Sequence, residues 1–209
     1  MKITKFGHCC LLIDVKGVRI LTDPGLFSKG YESLINIDIV LITHEHPDHF
    51  HLDALKVILK NNPRAKVITN SSVAKLTEDI KVSVVGNGQS IAEQGILIEG
   101  IGTKHGAVYG NFPETENTGY FINNQLFYPG DNFTNPNKPV EILAVPTSGP
   151  WLKLSEAIDY ARQIKPRVCF PVHDGVWLFP AFMNNAMDKF LEGTGIKYRV
   201  LQLGQETEI

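Results

Sequence analysis

Residues 39–51 read Ile39-Val40-Leu41-Ile42-Thr43-His44-Glu45-His46-Pro47-Asp48-His49-Phe50-His51, an apolar run that ends in four of the chain's seven histidines. Four consecutive apolar residues do not alternate, so they suit a strand covered on both faces. Behind them, apolar residues at 52, 55, 58 and 59 follow a helical spacing, and Asn61-Asn62-Pro63 supplies a stop. The histidines therefore lie at a strand-to-helix junction. Imidazole nitrogens and carboxylate oxygens are the usual ligands of zinc and similar divalent metals. His44, His46, Asp48 and His49 form the pattern H-x-H-x-D-H, and a tight loop at a strand end can turn such side chains toward one point. A polar loop with helix-capping histidines is the alternative. It suits one histidine better than four candidate ligands in six residues. His51 falls outside the pattern, where the helix begins, and reads as an outer or surface group.

One loop cannot fill two coordination spheres, so further ligands are expected from other strand ends. His105 follows a strand-to-loop switch in Gly102-Thr103-Lys104-His105-Gly106. Asp131 follows an aromatic strand in Phe127-Tyr128-Pro129-Gly130-Asp131, and His173 follows another in Cys169-Phe170-Pro171-Val172-His173. Each alone has an ordinary loop reading; a lone Gly-Asp is usually a turn. Together they repeat one theme, a ligand-type residue at a strand terminus beside Gly or Pro.

Periodicity predicts strands over 3–6, 10–15, 18–22, 39–43, 66–69 and 82–85, then over 96–101, 119–122, 126–128, 142–145, 168–172 and 198–203. Helices are expected over 52–59, 155–164 and 181–191, with a short one at 73–76. Strands precede helices in each half, which suits two mixed sheets packed face to face with helices outside. The length of 209 residues suits one domain over 1–209, or two halves sharing a core. Loop 105–117 carries Tyr109 and Phe112 and is expected to form a pocket wall, since long loops in compact domains are usually functional or disordered.

A net charge of −2 without a basic run argues against a dedicated nucleic-acid binder. No apolar run approaches a membrane span, and the N-terminus lacks the signature of a signal peptide. Cys9, Cys10 and Cys169 are odd in number and sit in apolar strands, so reduced buried thiols and a cytoplasmic location are expected.

With these motifs in place, the sequence resembles the metallo-β-lactamase superfamily over nearly its whole length. H-x-H-x-D-H is that family's most specific motif, and the later His105, Asp131 and His173 complete its set. The resemblance implies an αββα sandwich of two mixed sheets with the site along one edge. It implies two divalent metal ions, zinc first, with manganese or iron also compatible. His44, His46 and His105 would hold one, Asp48, His49 and His173 the other, and Asp131 would bridge. Phe6-Gly7-His8 before an apolar strand, with Leu21-Thr22-Asp23-Pro24 later, resembles the small cytoplasmic branch. That branch is similar to L-ascorbate-6-phosphate lactonase and to phospholipase D-like enzymes acting on N-acyl phosphatidylethanolamine. His8 would then be an outer-shell or substrate-facing group, or else a hydrogen-bonded turn histidine. Asp23 would orient a ligand histidine, or else form an Asp-Pro turn.

The expected function is hydrolysis of a small ester or lactone, including a phosphorylated one, by a metal-bound hydroxide, with Asp48 orienting or relaying a proton. The alternatives are a phosphodiesterase acting on a nucleotide, lipid head group or RNA, and a metal-stabilised binding or sensor domain without turnover. Thr147, Ser148 and Trp151 are expected to line the substrate pocket. Trp177, Leu178, Phe179, Phe182 and Met183 read as an ordinary buried helix face rather than a lipid groove. A small-molecule partner is expected, and homo-oligomerisation stays open.

Overall fold

The computed structural model describes residues 1–77, 79–110 and 114–209. Both sheets are built by the same procedure, an antiparallel meander followed by parallel strands. In the first sheet β1 (Lys2–Lys5), β2 (Leu11–Val15) and β3 (Val18–Thr22) pair antiparallel. Then β4 (Ile39–Ile42), β5 (Lys66–Thr69) and β6 (Val82–Val84) add in parallel. In the second, β7 (Ser90–Glu93), β8 (Ile96–Ile101), β9 (Gly119–Ile122) and β10 (Leu126–Tyr128) form the meander. The parallel strands there are β11 (Ile142–Pro146), β12 (Val168–Val172) and β13 (Lys197–Tyr198). Parallel neighbours need crossovers, and α1 (Leu52–Asn61), α3 (Leu154–Ile164) and α4 (Pro180–Leu191) provide those from β4 to β5, β11 to β12 and β12 to β13. A one-turn helix, α2 (Ser71–Ala74), follows β5.

The strands are apolar on both faces because each sheet is covered on both. Along β4, Ile39 and Leu41 enter the core between the sheets, while Val40 and Ile42 join Leu55 and Ile58 of α1 on the outer face. Along β11, Ile142 and Ala144 face inward, while Leu143 and Val145 pack with Ala157 and Ala161 of α3. This is the expected four-layer αββα sandwich. Among the described residues, no helix is long and apolar enough to cross a membrane.

Two expectations fail. β7 was not foreseen; Ser90-Ile91-Ala92-Glu93 is a short edge strand whose side chains are none of them buried, so its pattern is weak. The closing strand expected over 198–203 exists only as Lys197–Tyr198. Beyond it the chain leaves the second sheet, buries Leu201 in the inter-sheet core, and pairs a last strand, β14 (Glu206–Glu208), with β1 of the first sheet.

Parallel strands share a direction, so their carboxyl ends collect at one edge. Asp23 follows β3, His44 follows β4, Asp131 follows β10, Thr147 follows β11 and His173 follows β12.

Candidate metal centre

All seven expected ligands meet at this edge. Ligand atoms of His44, His46 and His105 lie within 4.8 Å of one another, as do those of His44, His49 and Asp131. Asp48 Oδ2 lies 3.3 Å from His173 Nε2 and 3.7 Å from His49 Nε2. Asp131 stands between the two groups. Its Oδ2 is 3.2 Å from His105 Nε2 and 2.8 Å from His173 Nε2, and its Oδ1 is 3.2 Å from His49 Nε2. His51 joins none of these groups; its backbone caps α1 and its side chain makes no capping bond.

Hydrogen bonds on the outer side of the rings decide which nitrogen faces inward. Asp23 is fully buried and its Oδ2 lies 2.7 Å from His49 Nδ1, so that nitrogen donates and His49 Nε2 is left for a metal or proton. The same carboxylate accepts from Thr43 Oγ1 at 2.7 Å. With its proton committed there, Thr43 Oγ1 accepts from His44 Nδ1 at 3.0 Å, which frees His44 Nε2. His105 Nδ1 donates to the Gly106 carbonyl at 2.7 Å, which frees His105 Nε2. His46 differs: Thr115 Oγ1 lies 3.3 Å from its Nε2, and its Nδ1 faces His44 Nε2 at 3.2 Å.

Buried polar atoms are nearly always hydrogen-bonded. Here His49 Nε2 and Asp131 Oδ1 are buried without hydrogen-bond alignment to any partner. Two such orphans 3.2 Å apart fit a cation that both could bind. The electrostatics agree. Burial raises the Asp131 carboxyl, but the His49 and His173 imidazoles outweigh that and hold it well below the ordinary carboxylate range. Burial lowers His173, but chiefly the Asp131 charge lifts it to about 10. These carboxylates call for positive charge, and a divalent cation supplies it in the same place. His44 is pushed well below its ordinary value, by burial first and by His49 next, so its inward nitrogen stays unprotonated.

Two backbone features hold the ligands close. His173 takes a left-handed conformation at φ 57°, where histidine is more tolerated than most side chains. Gly25 passes so near the ligand loop that a Cβ would stand 2.0 Å from the Asp48 carbonyl oxygen and 2.4 Å from His49 N. Gly25→Ala must therefore displace Asp48 and His49. A loss of about 1–3 kcal/mol is expected, read by denaturant unfolding, with reduced metal retention by elemental analysis. Wild-type metal retention in a folded variant would show that the close approach does not position these ligands.

Several functional contacts were not legible beforehand. Asn117, fully buried, donates to the Pro129 carbonyl and accepts from Asp131 N, fixing the turn that aims Asp131. Trp151, expected to line the pocket, is also tied to the centre, since its Nε1 donates to Asp131 Oδ2 at 3.1 Å. Cys9, expected only as a buried thiol, has its Sγ within 4.8 Å of ring nitrogens of His8, His49 and His173. No local pattern marks any of these, because each partner is distant in sequence.

Thr147 and Ser148 line a cavity of about 430 Å³ beside Asp48 and His173. Their hydroxyls are engaged, Thr147 with the Val172 carbonyl at 3.4 Å and Ser148 with the His173 carbonyl. The cavity's other walls include Phe27, Leu154, Val176, Trp177 and Met183, with Lys153 also lining it. The buried helix face expected over 177–183 is corrected. Leu178, Phe179 and Phe182 are 81%, 73% and 75% exposed. The helix anchors further along, through Met187 and Leu191, and its first turn lies beyond that packing. Opposite, Tyr109 lines a smaller cavity against His46 and His105, as expected of this loop. Phe112 lies outside the described residues.

The beta-lactamase superfamily domain, as a family model, matches residues 2–173. Over 182 residues the chain is 35% identical to protein Rv0786c of Mycobacterium tuberculosis, covering 84% of this chain and 85% of that one. It is 32% identical over 188 residues to a UPF0173 protein of Pyrococcus abyssi, covering 85% of each. Igni18, a metallo hydrolase from Ignicoccus hospitalis, superposes with a TM-score of 0.78 at 22% identity over 100% of this chain and 98% of its own. The fold, the ligand cluster and these matches define a metal-dependent hydrolase, and the chain belongs to the metallo-β-lactamase superfamily. Within that superfamily its relatives place it in the UPF0173 group.

Proposed function

We propose that this chain, acting as one domain over 1–209, is a dinuclear hydrolase of small esters or lactones, phosphorylated ones included. The observation that carries this reading is the place of Asp131, a buried carboxylate whose two oxygens face both groups of inward imidazole nitrogens. His44, His46 and His105 would hold one cation, Asp48, His49 and His173 the other, and Asp131 both. Nitrogen and oxygen ligands suit zinc first, and manganese or iron as well. When bound, two such cations supply a nucleophile at neutral pH by lowering the pKa of water, and they polarise the oxygen that gains charge.

The chain's own residues prepare that chemistry. Among the described residues, Asp48 is the one carboxylate that lines the cavity beside Thr147 and Ser148, so it can orient an attacking water and take its proton. At the susceptible bond, the mainly apolar wall favours an uncharged carbonyl over an anionic phosphodiester. Lys153 makes no ion pair among the described residues and is free to meet a carboxylate or phosphate elsewhere on the substrate. An open cavity reaching Asp48 also argues for turnover, since structural metal sites are closed. The three free cysteines are buried, in keeping with the proposed cytoplasmic location.

The test is protein purified without chelator, assayed for metals and against p-nitrophenyl esters, lactones, thioesters and bis(p-nitrophenyl) phosphate. About two ions per chain are expected, with ester or lactone turnover exceeding phosphodiester turnover. Metal-free protein that takes up no ion would defeat the dinuclear reading, and preferred cleavage of the phosphodiester would reverse the substrate assignment.

A further inference from the structure

His8 is fully buried beside the centre, with its ring centroid 3.9 Å from that of His173 and its Nε2 3.2 Å from Asp48 Oδ2. By position alone it belongs with the ligands, and its ligand atom lies within 4.8 Å of those of Cys9, His49 and His173. Its outer hydrogen bond says otherwise. The backbone N–H of Gly175 donates to His8 Nδ1 at 3.1 Å. The chain is strapped there, since His173 N also donates to the His8 carbonyl at 2.9 Å. A Cβ on Gly175 would stand 3.1 Å from His8 Nδ1, so glycine suits this approach.

A nitrogen that accepts a hydrogen bond carries a lone pair. A neutral imidazole has one proton, so with Nδ1 accepting, the proton sits on Nε2. The other tautomer and the doubly protonated ring would both set an N–H against the Gly175 N–H. His44, His49 and His105 have the opposite arrangement: their outer nitrogens donate, and their inward nitrogens hold the lone pair. For His8 to bind a metal through Nε2 it would have to become imidazolate. Yet Nε2 is buried without an aligned partner, and the oxygen it approaches is that of Asp48.

We propose that His8 is not a metal ligand but a positioning residue, a fixed Nε2–H donor that holds the Asp48 carboxylate against the centre. This rests on the reading of Asp48 as a ligand and proton acceptor. In zinc-loaded, ¹⁵N-labelled protein, long-range ¹H–¹⁵N correlation is expected to show the Nε2–H tautomer at His8, assigned through its loss in H8N. Two substitutions separate the two sides of the ring. Asn can still accept from Gly175 but places no donor near Asp48. Gln reaches the Nε2 position with a donor and gives up the Gly175 bond.

Both variants are expected to keep the wild-type zinc content. H8N should lose about ten- to a hundredfold in kcat, the scale of outer-shell partners of metal ligands, at unchanged KM, and H8Q should restore most of it. A role confined to the Gly175 bond predicts the reverse order. An Nδ1–H tautomer, or loss of zinc from a variant whose circular dichroism shows it folded, would overturn the proposal. If the wild-type chain turned over no substrate, the hydrolase reading would fail by itself, and the tautomer and zinc content would still decide His8.

Discussion

Asp131→Asn is expected to leave the chain folded, to lower turnover more than about a hundredfold, and to drop metal content below two per chain. Outer-shell partners of metal ligands already account for about ten- to a hundredfold, and Asp131 faces both groups directly. The change is nearly isosteric, so no cavity arises. The backbone contacts of residue 131 persist, with Asn117 Oδ1 accepting from its N–H and Gly106 N–H donating to its carbonyl. What disappears is one negative charge between His49, His105 and His173. An amide offers one oxygen where the carboxylate offers two, so it cannot serve both groups alike. Metal stoichiometry and kcat, measured on the same preparation, check this. Full activity with two ions bound would show that Asp131 does not bridge.

Asp23→Asn is the second large effect, and it acts without touching a metal. Asp23 Oδ2 gathers His49 Nδ1, Thr43 Oγ1 and Tyr128 Oη at 2.7, 2.7 and 2.6 Å, and Oδ1 accepts from Thr43 N at 2.8 Å. The residue holds this position at a left-handed φ of 37°. Removing one partner of a buried charge pair costs about 3–5 kcal/mol. An Asn here also brings an amide N–H against donors. Two ligand rings lose their orientation together, His49 directly and His44 through Thr43, so metal affinity should fall about ten- to a hundredfold. Denaturant unfolding reads the first effect and chelator competition the second. Unchanged zinc affinity would mean that the rings are oriented by packing alone.

The convergence of these seven side chains was legible because their chemistry is local in the chain. Nitrogen and oxygen side chains cluster directly after strands, and those strands announce themselves by being apolar on both faces. Hence His44, His46, Asp48 and His49 stood out as a group, and His105, Asp131 and His173 as strand ends. The failures share a cause as well. Residues 177–183 are apolar, but where a helix stops being covered depends on the sheet beneath it, and composition does not encode that. The bond from Trp151 to Asp131 was not foreseen because nothing near Trp151 in the chain points to that residue, 20 positions earlier.

By itself, then, the sequence determined the two-sheet architecture and which residue types converge, since hydrophobic periodicity and ligand chemistry are properties of short segments. Only the tertiary structure decided which nitrogen each ring turns inward. That choice depends on hydrogen bonds between strand ends far apart in the chain, from Asp23 to His49 and, across 167 residues, from Gly175 to His8. Such bonds assign a proton to one side of an imidazole, and so separate a ring that can bind a cation from one that can only donate.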